Sequence, residues 1–535
     1  MAFGFIARFT ADRGVARQAS DRAGLPPAVP RGRWPGLMAR FDALRGWRAD
    51  LAGFLAGAVS ALALPPVHAV PVLLLTIPLL LRQINMAAGP RAAARRGWWF
   101  GLGLYVFSLY WITEAILFEA ARFWWVVPFA VPALSAFVAI FIAAACGIAR
   151  CAPGGWPRLL TFAGAWTLSD LARQFALSGF PWNPLGSVWA APNHLGDVMI
   201  QPAALVGVHG MTFATVLLAG LPLLRWRWRA AGAGMLALWI GFGVARLDQP
   251  APPPTDVTVL LIQGNVAQDM KWDRGRMLAI FHHYLEMTRQ AVAGVTGPAV
   301  IVWPETASPA LLETDGPARM LIAQAAGGHP ALIGGIRFDR SGRPRNSLFV
   351  LGPDGAIDGL YDKWHLVPFG EYQPDWWPSW FEIFPGGGFQ AGPGPHTLTA
   401  PTLPPFGALI CYEAIFSGQV TDPARRPQWL VNVTNDAWFG NSSGPRQHLA
   451  AARLRAVETG LPLARAANTG ISVMYDGKGR EVARLGLNQA GVISAVLPAP
   501  LASPLYSRLG LSLPLALAAI AVAGGLVARF RMFHL

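Results

Sequence analysis

Charged residues are scarce in this sequence. Asp, Glu, Lys and Arg make up only 13% of its 535 residues, whereas hydrophobic residues make up 53%. This balance excludes an ordinary soluble globular protein and favours a membrane protein. The net charge of +14 comes mostly from arginines clustered beside apolar runs. We therefore interpret the charge as a sign of membrane topology and do not expect nucleic acid as a partner.

Cysteine is scarcer still, with three residues in the whole sequence. Cys146 and Cys151 end an apolar run, where a small polarizable core residue is common, so we expect both to be structural. The sequence has no CxxC pair and no metal-ligand spacing of Cys with His, and the adjacent His282 and His283 form no zinc site by themselves. We therefore predict no metal and no cofactor.

Long apolar runs, by contrast, are abundant. A helix that spans a membrane needs about 20 mostly apolar residues, and several segments come near that length. The sequence predicts spans near residues 51–64, 69–81, 98–117, 124–146, 159–177, 201–224, 231–246 and 510–528. The first two are short and are separated by Pro65 and Pro66. We expect a multi-pass α-helical membrane domain with about eight transmembrane helices.

The arginines predict how these helices cross the membrane, because Lys and Arg near the helix ends stay in the cytoplasm. With about eight crossings, one side receives all the basic clusters: residues 8–48, 82–96, 150–158, 225–229 and 529–531. Both termini are then cytoplasmic, and residues 250–505 face the outside, which for a bacterial inner membrane is the periplasm. The basic N-terminal stretch precedes no clear cleavage site, so we expect the first helix to remain uncleaved.

The stretch from residue 250 to 505 has a different composition. Short apolar runs typical of strands alternate with Gly, Pro and Asp turns, at residues 257–266, 299–305, 331–338, 347–355, 406–413, 429–436 and 471–479. Helical patterns at 274–293 and 445–459 lie between them, which favours an α/β layer fold. We therefore divide the chain into a basic N-terminal segment, a transmembrane domain, a periplasmic α/β domain and a C-terminal transmembrane helix, at residues 1–50, 51–249, 250–505 and 506–535.

Cys411 is the main candidate for a nucleophile. It ends the apolar run 406–411 and is followed by Tyr412 and Glu413. A buried structural cysteine is the usual alternative for any single residue of this type. In a periplasmic domain, however, an unpaired thiol is a liability, because disulfides form readily there. A lone thiol in that compartment is better explained by a chemical role.

Two further residues end or follow strands of the same region and could activate a thiol. Glu305 closes the apolar run 299–305, where an ionised carboxylate is costly unless it is paired. Lys363 lies in an aromatic and apolar stretch at 360–372. The alternatives are a surface turn after Pro304 for Glu305 and a solvated strand-edge lysine for Lys363.

Together these residues resemble the nitrilase superfamily, and more closely its membrane-embedded branch, the apolipoprotein N-acyltransferases. The motifs are WPE at 303–305, KxHLVPFGEY at 363–372, CYE at 411–413, NDAWFG at 435–440 and FPWNP at 180–184. The resemblance covers nearly the whole chain after the first fifty residues. It implies an α-β-β-α sandwich domain joined to about eight spanning helices, as the composition also suggests.

The resemblance also implies a mechanism. Glu305 would be the general base, Lys363 would stabilise the oxyanion, and Cys411 would attack the ester carbonyl of a phospholipid acyl chain. The resulting thioester would then acylate the N-terminal amine of the diacylglyceryl-cysteine of an apolipoprotein. The partners implied are therefore phospholipid donors and lipoprotein acceptors, in a ping-pong exchange.

Several other residues are candidates for supporting roles. Glu371 and Glu413 could orient Lys363 or the base, and Tyr412 and Asn435 could contribute second-layer or oxyanion contacts. For all four, ordinary surface or structural roles are the alternative. Glu114 and Asp170, in or near predicted spans, could lie where substrate arrives, because ionisable groups are costly in a membrane.

Aromatic residues are unusually frequent near these motifs. We expect a lid that dips into the membrane interface, hinged at glycines 386–388, with core packing as the alternative. The candidate lipid-facing residues are Trp272, Trp376, Trp377, Trp380, Phe381, Phe384, Trp438 and Phe439.

Two other functions and one other catalytic pairing fit parts of the pattern. A membrane-tethered amidase could hydrolyse a carbon-nitrogen bond with the same three residues. A transporter with an exported binding domain would need paired charges or broken helices at mid-membrane, and few such charges are present. A pair of Cys411 with His365 or His448 would leave Glu305 and Lys363 without a purpose.

Overall fold

The computed structural model describes residues 33–118, 120–271, 273, 275–378, 380 and 388–531. The chain divides into two units, Met1–Arg45 and Gly46–Leu535. In the first unit, helix α1 spans Arg33–Asp42, and Arg45 donates a hydrogen bond of 2.6 Å to the main-chain oxygen of Asp42. Most of the predicted basic N-terminal segment, residues 1–32, lies outside the described residues.

Along the chain of the second unit, helices come before and after a sheet-forming region. Its helices are α2 (Gly46–Ser60), α3 (Leu73–Met86), α4 (Pro90–Ser108), α5 (Ile112–Leu117), α6 (Ala120–Phe123), α7 (Val127–Cys151), α8 (Trp156–Phe175), α9 (His194–Met199), α10 (Ala203–Gly220), α11 (Trp226–Asp248), α12 (Met277–Val292), α13 (Gly316–Ala325), α14 (Gly444–Thr459), α15 (Leu505–Leu509) and α16 (Ser512–Arg531). We call α2–α11 with α16 the helical region.

Each predicted span overlaps a helix of this region, so its helical character is confirmed. Within the described residues, three helices are long and apolar enough to cross a membrane: Trp124–Cys151, Ala203–Leu223 and Trp226–Asp248. Two apolar helices, Val70–Met86 and Ser512–Ala528, are shorter. Others, such as α4 and α8, carry arginines or a buried ion pair that lower their hydropathy. The number of spans therefore stays a prediction.

Small residues let the helices pack closely. A Cβ atom placed on Gly57 of α2 would lie 1.9 Å from the main-chain oxygen of Phe100 of α4, and one on Gly103 of α4 would lie 2.0 Å from that of Phe54. Glycine is therefore required at both contacts. Between membrane helices, where lipid removes most of the hydrophobic driving force, such close backbone approach supplies much of the packing energy.

The sheet-forming region contains two sheets. Its strands are β1 (Thr258–Gln263), β2 (Ala299–Val302), β3 (Ala331–Phe338), β4 (Pro344–Leu351), β5 (Ile357–Asp362), β6 (Thr397–Leu398), β7 (Phe406–Ile410), β8 (Trp429–Thr434), β9 (Leu463–Ala467), β10 (Ser472–Tyr475), β11 (Glu481–Leu485) and β12 (Gly491–Val496). Among the described residues, the sheets have six strands each, in the orders β12-β1-β2-β3-β4-β5 and β11-β10-β9-β8-β7-β6. We call these strands, with α12–α14, the sandwich.

Alternation along the strands builds four layers. Val259 of β1 lies between the sheets with Val431 of β8, whereas Leu260 points outward and packs with Phe281 of α12. On the outer face of the other sheet, Leu430 packs with Leu449 of α14. Because successive strand residues point to opposite faces, apolar runs such as 257–262 fill two cores at once. The predicted α-β-β-α sandwich is confirmed.

Helix α14 joins the sandwich to the helical region. Its face opposite the sheet packs Leu454 and Val457 against Met199 and Val208. Gln447, also on α14, accepts hydrogen bonds from the indole N–H groups of Trp111 (3.1 Å) and Trp182 (2.8 Å). Its amide donates to the main-chain oxygens of Pro65 (3.2 Å) and Ser108 (3.1 Å). One side chain thus connects the sandwich to three segments of the helical region.

We expect Gln447→Leu to destabilise this junction, because leucine leaves two buried N–H groups and two carbonyl oxygens without their partner. Leaving such groups unsatisfied costs about 1–3 kcal/mol each, so the loss should reach at least about 2–4 kcal/mol. The measurement is the midpoint of thermal unfolding in detergent. Gln324→Leu, on the exposed side of α13, is the matched control. Equal midpoints for the two variants would contradict the role of Gln447.

Candidate active site

The candidate site lies where strand ends of the two sheets meet. Strand β1 is parallel to β2, and β7 is parallel to β8, so their carboxyl ends share an edge within each sheet. Glu305 follows β2, Lys363 follows β5, and Cys411 follows β7 directly. Polar residues that follow parallel strands collect at such edges, which are the usual site of ligands in α/β sheets.

The backbone of Cys411 is strained. Its φ angle is 51°, in the left-handed region, and it opens a 3₁₀ turn from Cys411 to Ile415. A non-glycine residue in this region costs roughly 1–3 kcal/mol and is over-represented at functional sites. The strain therefore marks Cys411 as a candidate functional residue.

Lys363 lies between two carboxylates. Its Nζ atom is 2.9 Å from Glu371 Oε1 and 3.5 Å from Glu305 Oε1. Lys363 is 1% exposed, Glu305 6% and Cys411 7%. The negative charge of Glu305 raises the pKa of the Cys411 thiol, and the positive charge of Lys363 lowers it. The three residues singled out by the sequence are therefore brought together.

Two asparagines hold the carboxylate of Glu305. The side-chain amide of Asn346 donates to Glu305 Oε1 at 2.7 Å and to Glu371 Oε1 at 3.1 Å. The main-chain N–H of Asn435 donates to Glu305 Oε2 at 2.8 Å. The side chain of Asn435 is held by Gln268 and Asn468. Asn435, a predicted supporting residue, thus fixes the direction of the carboxylate.

Electrostatics keep the thiol and the ammonium in their protonated forms. Burial would lower the pKa of Lys363, but the charges of Glu371, Glu305 and Cys411 outweigh it and raise that pKa. Burial, helped by the charge of Glu305, raises the pKa of Cys411 although Lys363 opposes the shift. The expectation that Lys363 favours the thiolate holds as a direction, but burial is the larger effect. The resting thiol therefore needs a base.

Glu413 is a structural acid beside the site. Its carboxylate accepts hydrogen bonds from the main-chain N–H groups of Ile410 (2.6 Å) and Trp364 (2.7 Å) and from the Tyr361 hydroxyl (3.0 Å). Burial raises the pKa of Glu413 to about 7, against the lowering effect of the main-chain donors of Ile410 and Trp364. By bonding both the strand that leads to Cys411 and the residue after Lys363, Glu413 fixes the two relative to each other.

Tyr412 and His365 face the helical region. The Tyr412 hydroxyl donates to the main-chain oxygen of Gly179 at 2.8 Å, and His365 Nε2 contacts the main-chain oxygen of Ser178 at 3.1 Å. The His365 ring also lies 3.5 Å from that of Phe416. These contacts dock the site against the loop between α8 and α9. They give no support to a Cys411–His365 pair, and a role of Tyr412 toward the oxyanion stays a prediction.

A buried ionic cluster lies behind Cys411. Its Sγ atom, a carboxylate oxygen of Asp436 and a ring nitrogen of His448 are within 4.8 Å of one another. The donor set would suit a metal, but the other atoms are engaged: Asp436 Oδ2 pairs with Arg465 at 2.7 Å, and His448 contacts Asp436 and the main-chain oxygen of Cys411, both at 2.9 Å. A guanidinium already neutralises this carboxylate, so the residues fit an ion pair better than a metal site.

The aromatic candidates fall into two groups. Phe439 packs among Trp111, Trp182 and His448, as the core-packing alternative proposed. Trp376, Trp380 and Trp438 are exposed. Trp438 contacts Phe118, and both Trp376 and Trp377 contact Phe369. The other candidates, Trp272, Phe381, Phe384 and the first two hinge glycines, lie outside the described residues.

Two acidic residues of the helical region have distinct surroundings. Glu114 of α5 lies against the turn after Trp438, where a Cβ on Gly440 would be 2.9 Å from its Oε2. Asp170 of α8 is buried and pairs with Arg173 at 2.9 Å. Glu114 is thus near the aromatic group of the site, whereas Asp170 belongs to an internal ion pair.

Two residues of the site are not among the candidates that the sequence analysis selects. Asn346 lies in β4, one residue before the start of the strand predicted at 347–355. Lys271 donates to the main-chain oxygen of Glu305 at 3.0 Å. It directly precedes Trp272, which was selected as an aromatic, and that neighbour is the only signal that could have drawn attention to it.

Comparison with known proteins finds similar proteins for both the helical region and the sandwich. The profile described as "Apolipoprotein N-acyltransferase N-terminal domain" matches residues 56–221, and the profile "Carbon-nitrogen hydrolase" matches residues 261–505. An apolipoprotein N-acyltransferase of Rhodopseudomonas palustris is 38% identical over 503 residues, covering 87% of this chain and 92% of that protein. Another from Brucella melitensis is 39% identical over 510 residues, covering 88% and 94%. A solved carbon-nitrogen hydrolase superfamily protein from Xanthomonas campestris matches 45% of this chain and 91% of its own, at 19% identity and a TM-score of 0.35.

The raised pKa of Cys411 predicts slow alkylation of the resting enzyme. At pH near 7, iodoacetamide should modify Cys411 far more slowly than a free thiol of pKa about 8.5, because the thiolate is the reacting form. The rate should rise with pH and still be climbing above about pH 9. Mass spectrometry of the peptide that contains Cys411 measures the rate, and Cys411→Ala is the control. A rate that levels off below about pH 8 would contradict this prediction.

Proposed function

The chain belongs to the apolipoprotein N-acyltransferase family, and on that premise we propose how its own residues carry out the transfer. It is an acyltransferase of the inner membrane that N-acylates lipoproteins. The observation that carries the mechanism is the cluster of Glu305, Lys363 and Cys411 in one buried pocket. We propose that Cys411 is the nucleophile, Glu305 the general base and Lys363 the oxyanion-stabilising cation.

In the first half-reaction, Glu305 takes the proton of the Cys411 thiol, and the sulfur attacks the ester carbonyl carbon of a phospholipid acyl chain. The carbonyl oxygen becomes negative beside the Lys363 ammonium, where a preorganised charge stabilises it best. The C–O bond to glycerol then breaks. The leaving alkoxide takes the proton from Glu305, which yields a lysophospholipid and a thioester on Cys411.

In the second half-reaction, the N-terminal amine of a diacylglyceryl-cysteine attacks the thioester. Glu305 takes a proton from the amine, the C–S bond breaks, and Glu305 gives that proton to the departing Cys411 sulfur. Asn346 Oδ1, which has no hydrogen-bond partner among the described residues, is available to accept the second N–H of the amine. The products are the amide-linked lipoprotein and the free enzyme, so the exchange is ping-pong.

We further propose that the site takes its lipid sideways from the membrane. The turn that bears Cys411 packs through Tyr412 and Phe416 into the same buried cluster as Phe100 and Trp182 of the helical region. The exposed Trp376, Trp380 and Trp438 provide an apolar rim. Such surroundings keep water from the thioester, which would otherwise hydrolyse. A soluble amidase substrate requires none of these features, so the amidase alternative is weaker.

The proposed topology places the sandwich in the periplasm and both termini in the cytoplasm, with domain boundaries near residues 50, 250 and 505. Its support is that Pro65, Ser108 and Gly179 contact the sandwich, whereas the turns at the other helix ends carry arginines. Arg95 and Arg96 of α4 lie at that other end and pair with Asp50. Positive charge concentrated away from the sandwich agrees with the positive-inside rule.

The mechanism predicts an acyl adduct. Purified enzyme incubated with acyl-labelled phospholipid should carry the acyl group on Cys411, and Cys411→Ala should carry none. Glu305→Gln has the same shape but cannot accept a proton and keeps an acceptor oxygen for only one of the two donors, Asn346 and Asn435, so it should slow adduct formation by roughly 10²-fold or more.

Glu286→Gln, on the exposed face of α12, is the matched control and should acylate normally. Mass spectrometry of the intact protein and of the Cys411 peptide measures both effects. An acylated Cys411→Ala protein would remove the proposed nucleophile, and a fully active Glu305→Gln protein would remove the proposed base.

The topology predicts opposite labelling of two cysteines that are introduced one at a time. In a Cys151→Ser, Cys411→Ala background, Glu286→Cys should react with a membrane-impermeant maleimide in intact spheroplasts. Arg95→Cys should react only after permeabilisation, although the side chain of Arg95 is 62% exposed. The reverse pattern would place the sandwich in the cytoplasm.

A further inference from the structure

A second lysine is buried at the site, and the mechanism above does not use it. Lys271 follows β1 and is 6% exposed. Its ammonium donates to the main-chain oxygen of Glu305 at 3.0 Å and to the hydroxyl of Thr306 at 2.5 Å. Within the part of the chain that is described, both hydrogen-bond acceptors are neutral oxygens. Burying an ammonium in this way costs several kcal/mol unless its charge is compensated.

The contacts of Lys271 are both on the turn that bears the proposed base. Thr306 has a φ angle of 46°, which is unfavourable for a β-branched residue. Such a conformation persists only where its surroundings fix it. Lys271 donates a hydrogen bond to the residue on each side of the Glu305–Thr306 peptide bond, so it holds the strained turn. Asn346 and Asn435 hold the carboxylate of Glu305 itself.

The compensating charge comes across the pocket. Burial lowers the pKa of Lys271 to about 8, and the negative charges of Glu305 and of a Cys411 thiolate oppose that shift. The ionisable groups around this lysine are Glu305 and Cys411, with Lys363 and Glu371 beyond Glu305 and Asp436 beyond Cys411. Lys363 is shared between the carboxylates of Glu371 and Glu305, so one ammonium faces two negative charges, and Lys271 supplies the second positive charge on the side of Glu305.

We propose that Lys271 is a positioning residue for the acyl transfer: its ammonium fixes the Glu305–Thr306 turn and balances the negative charge shared by Glu305 and Cys411. The inference rests on the proposed roles of those two residues. When the proton moves from sulfur to Glu305, one negative charge stays in the pocket, and Lys271 stabilises it in either place. Without the ammonium, the thiolate forms at higher pH and the carboxylate loses its fixed direction.

The test compares Lys271→Met with Lys478→Met. Lys478 is also buried and also donates to main-chain oxygens, those of Leu247 and Gln249, but these belong to the end of α11 and the linker after it. Two quantities are measured: the rate of acyl-adduct formation with labelled phospholipid, and the pH profile of iodoacetamide alkylation at Cys411. The thermal unfolding midpoint of each variant in detergent is recorded alongside.

Lys271→Met should slow acylation by about tenfold or more. Below about pH 8, where the wild-type ammonium is charged, it should also move the alkylation profile upward by about one pH unit, the effect of losing one nearby positive charge. Lys478→Met should leave both unchanged. Lys271→Arg, which keeps the charge, should restore the alkylation profile even if the acylation rate stays low. A purely structural lysine would lower the unfolding midpoint without moving the pH profile.

The outcomes separate this inference from the proposed function. If the wild-type enzyme forms no adduct on Cys411, the proposed function fails and Lys271 is not at issue. If it forms the adduct and Lys271→Met matches Lys478→Met in rate and profile, the role of Lys271 is overturned. If Lys271→Met does not fold, Thr306→Val, which removes one acceptor of the ammonium, decides: slowed acylation in a folded protein supports the proposal, and an unchanged rate overturns it.

Discussion

The buried Lys363 ammonium lies between Glu371 and Glu305, and the arrangement of the strands around the site depends on that position. Removing one partner of a buried pair costs about 3–5 kcal/mol, because the remaining charge stays uncompensated. Lys363 follows β5, and Glu305 follows β2. Asn346, which donates hydrogen bonds to the carboxylates of both Glu305 and Glu371, lies in β4. The pairing is therefore satisfied only when three strands of the first sheet are in register.

The same pocket explains how a protonated thiol can be used. Burial raises the pKa of Cys411, so the resting enzyme holds the sulfur as a thiol. In the proposed mechanism, transfer of its proton to Glu305 moves a negative charge over a short distance and leaves the total charge of the pocket unchanged. In a low-dielectric environment, moving a charge within a pocket that already contains two ammonium groups costs far less than creating one. Burial thus protects the thiol without disabling it.

The sequence predicted the parts of the site that local patterns reveal. Cys411, Glu305 and Lys363 stand out because each ends or follows an apolar strand with a residue that does not belong in a core. Lys271 and Asn346 do not stand out, because their importance comes from contacts made across the fold. Two of the strands that the sequence did not predict have a similar explanation: β9 has the sequence LARAA, which is mostly Ala and Arg, and β11 is an exposed edge strand with charged residues, so neither has the composition of a typical strand. The number of spanning helices was the least predictable feature, since buried pairs such as Asp170–Arg173 reduce hydropathy without exposing charge.

The helical region and the reaction centre are joined too closely to act independently. Tyr412, the residue after Cys411, is bonded to Gly179, and Glu458 of α14 accepts a hydrogen bond from the main-chain N–H of Val208, where Gly207 breaks the α10 helix. Glu458 also accepts from Ser417, just after the turn that bears the sulfur. A shift of α10 would therefore be felt at the turn of Cys411 through two hydrogen bonds. Because α14 holds both the turn of Cys411 and the break in α10, the proposed attack of the Cys411 thiol on an acyl chain in the membrane would take place in a fixed geometry. For a reaction that requires near contact of the reacting atoms, that geometry is worth several kcal/mol of positioning.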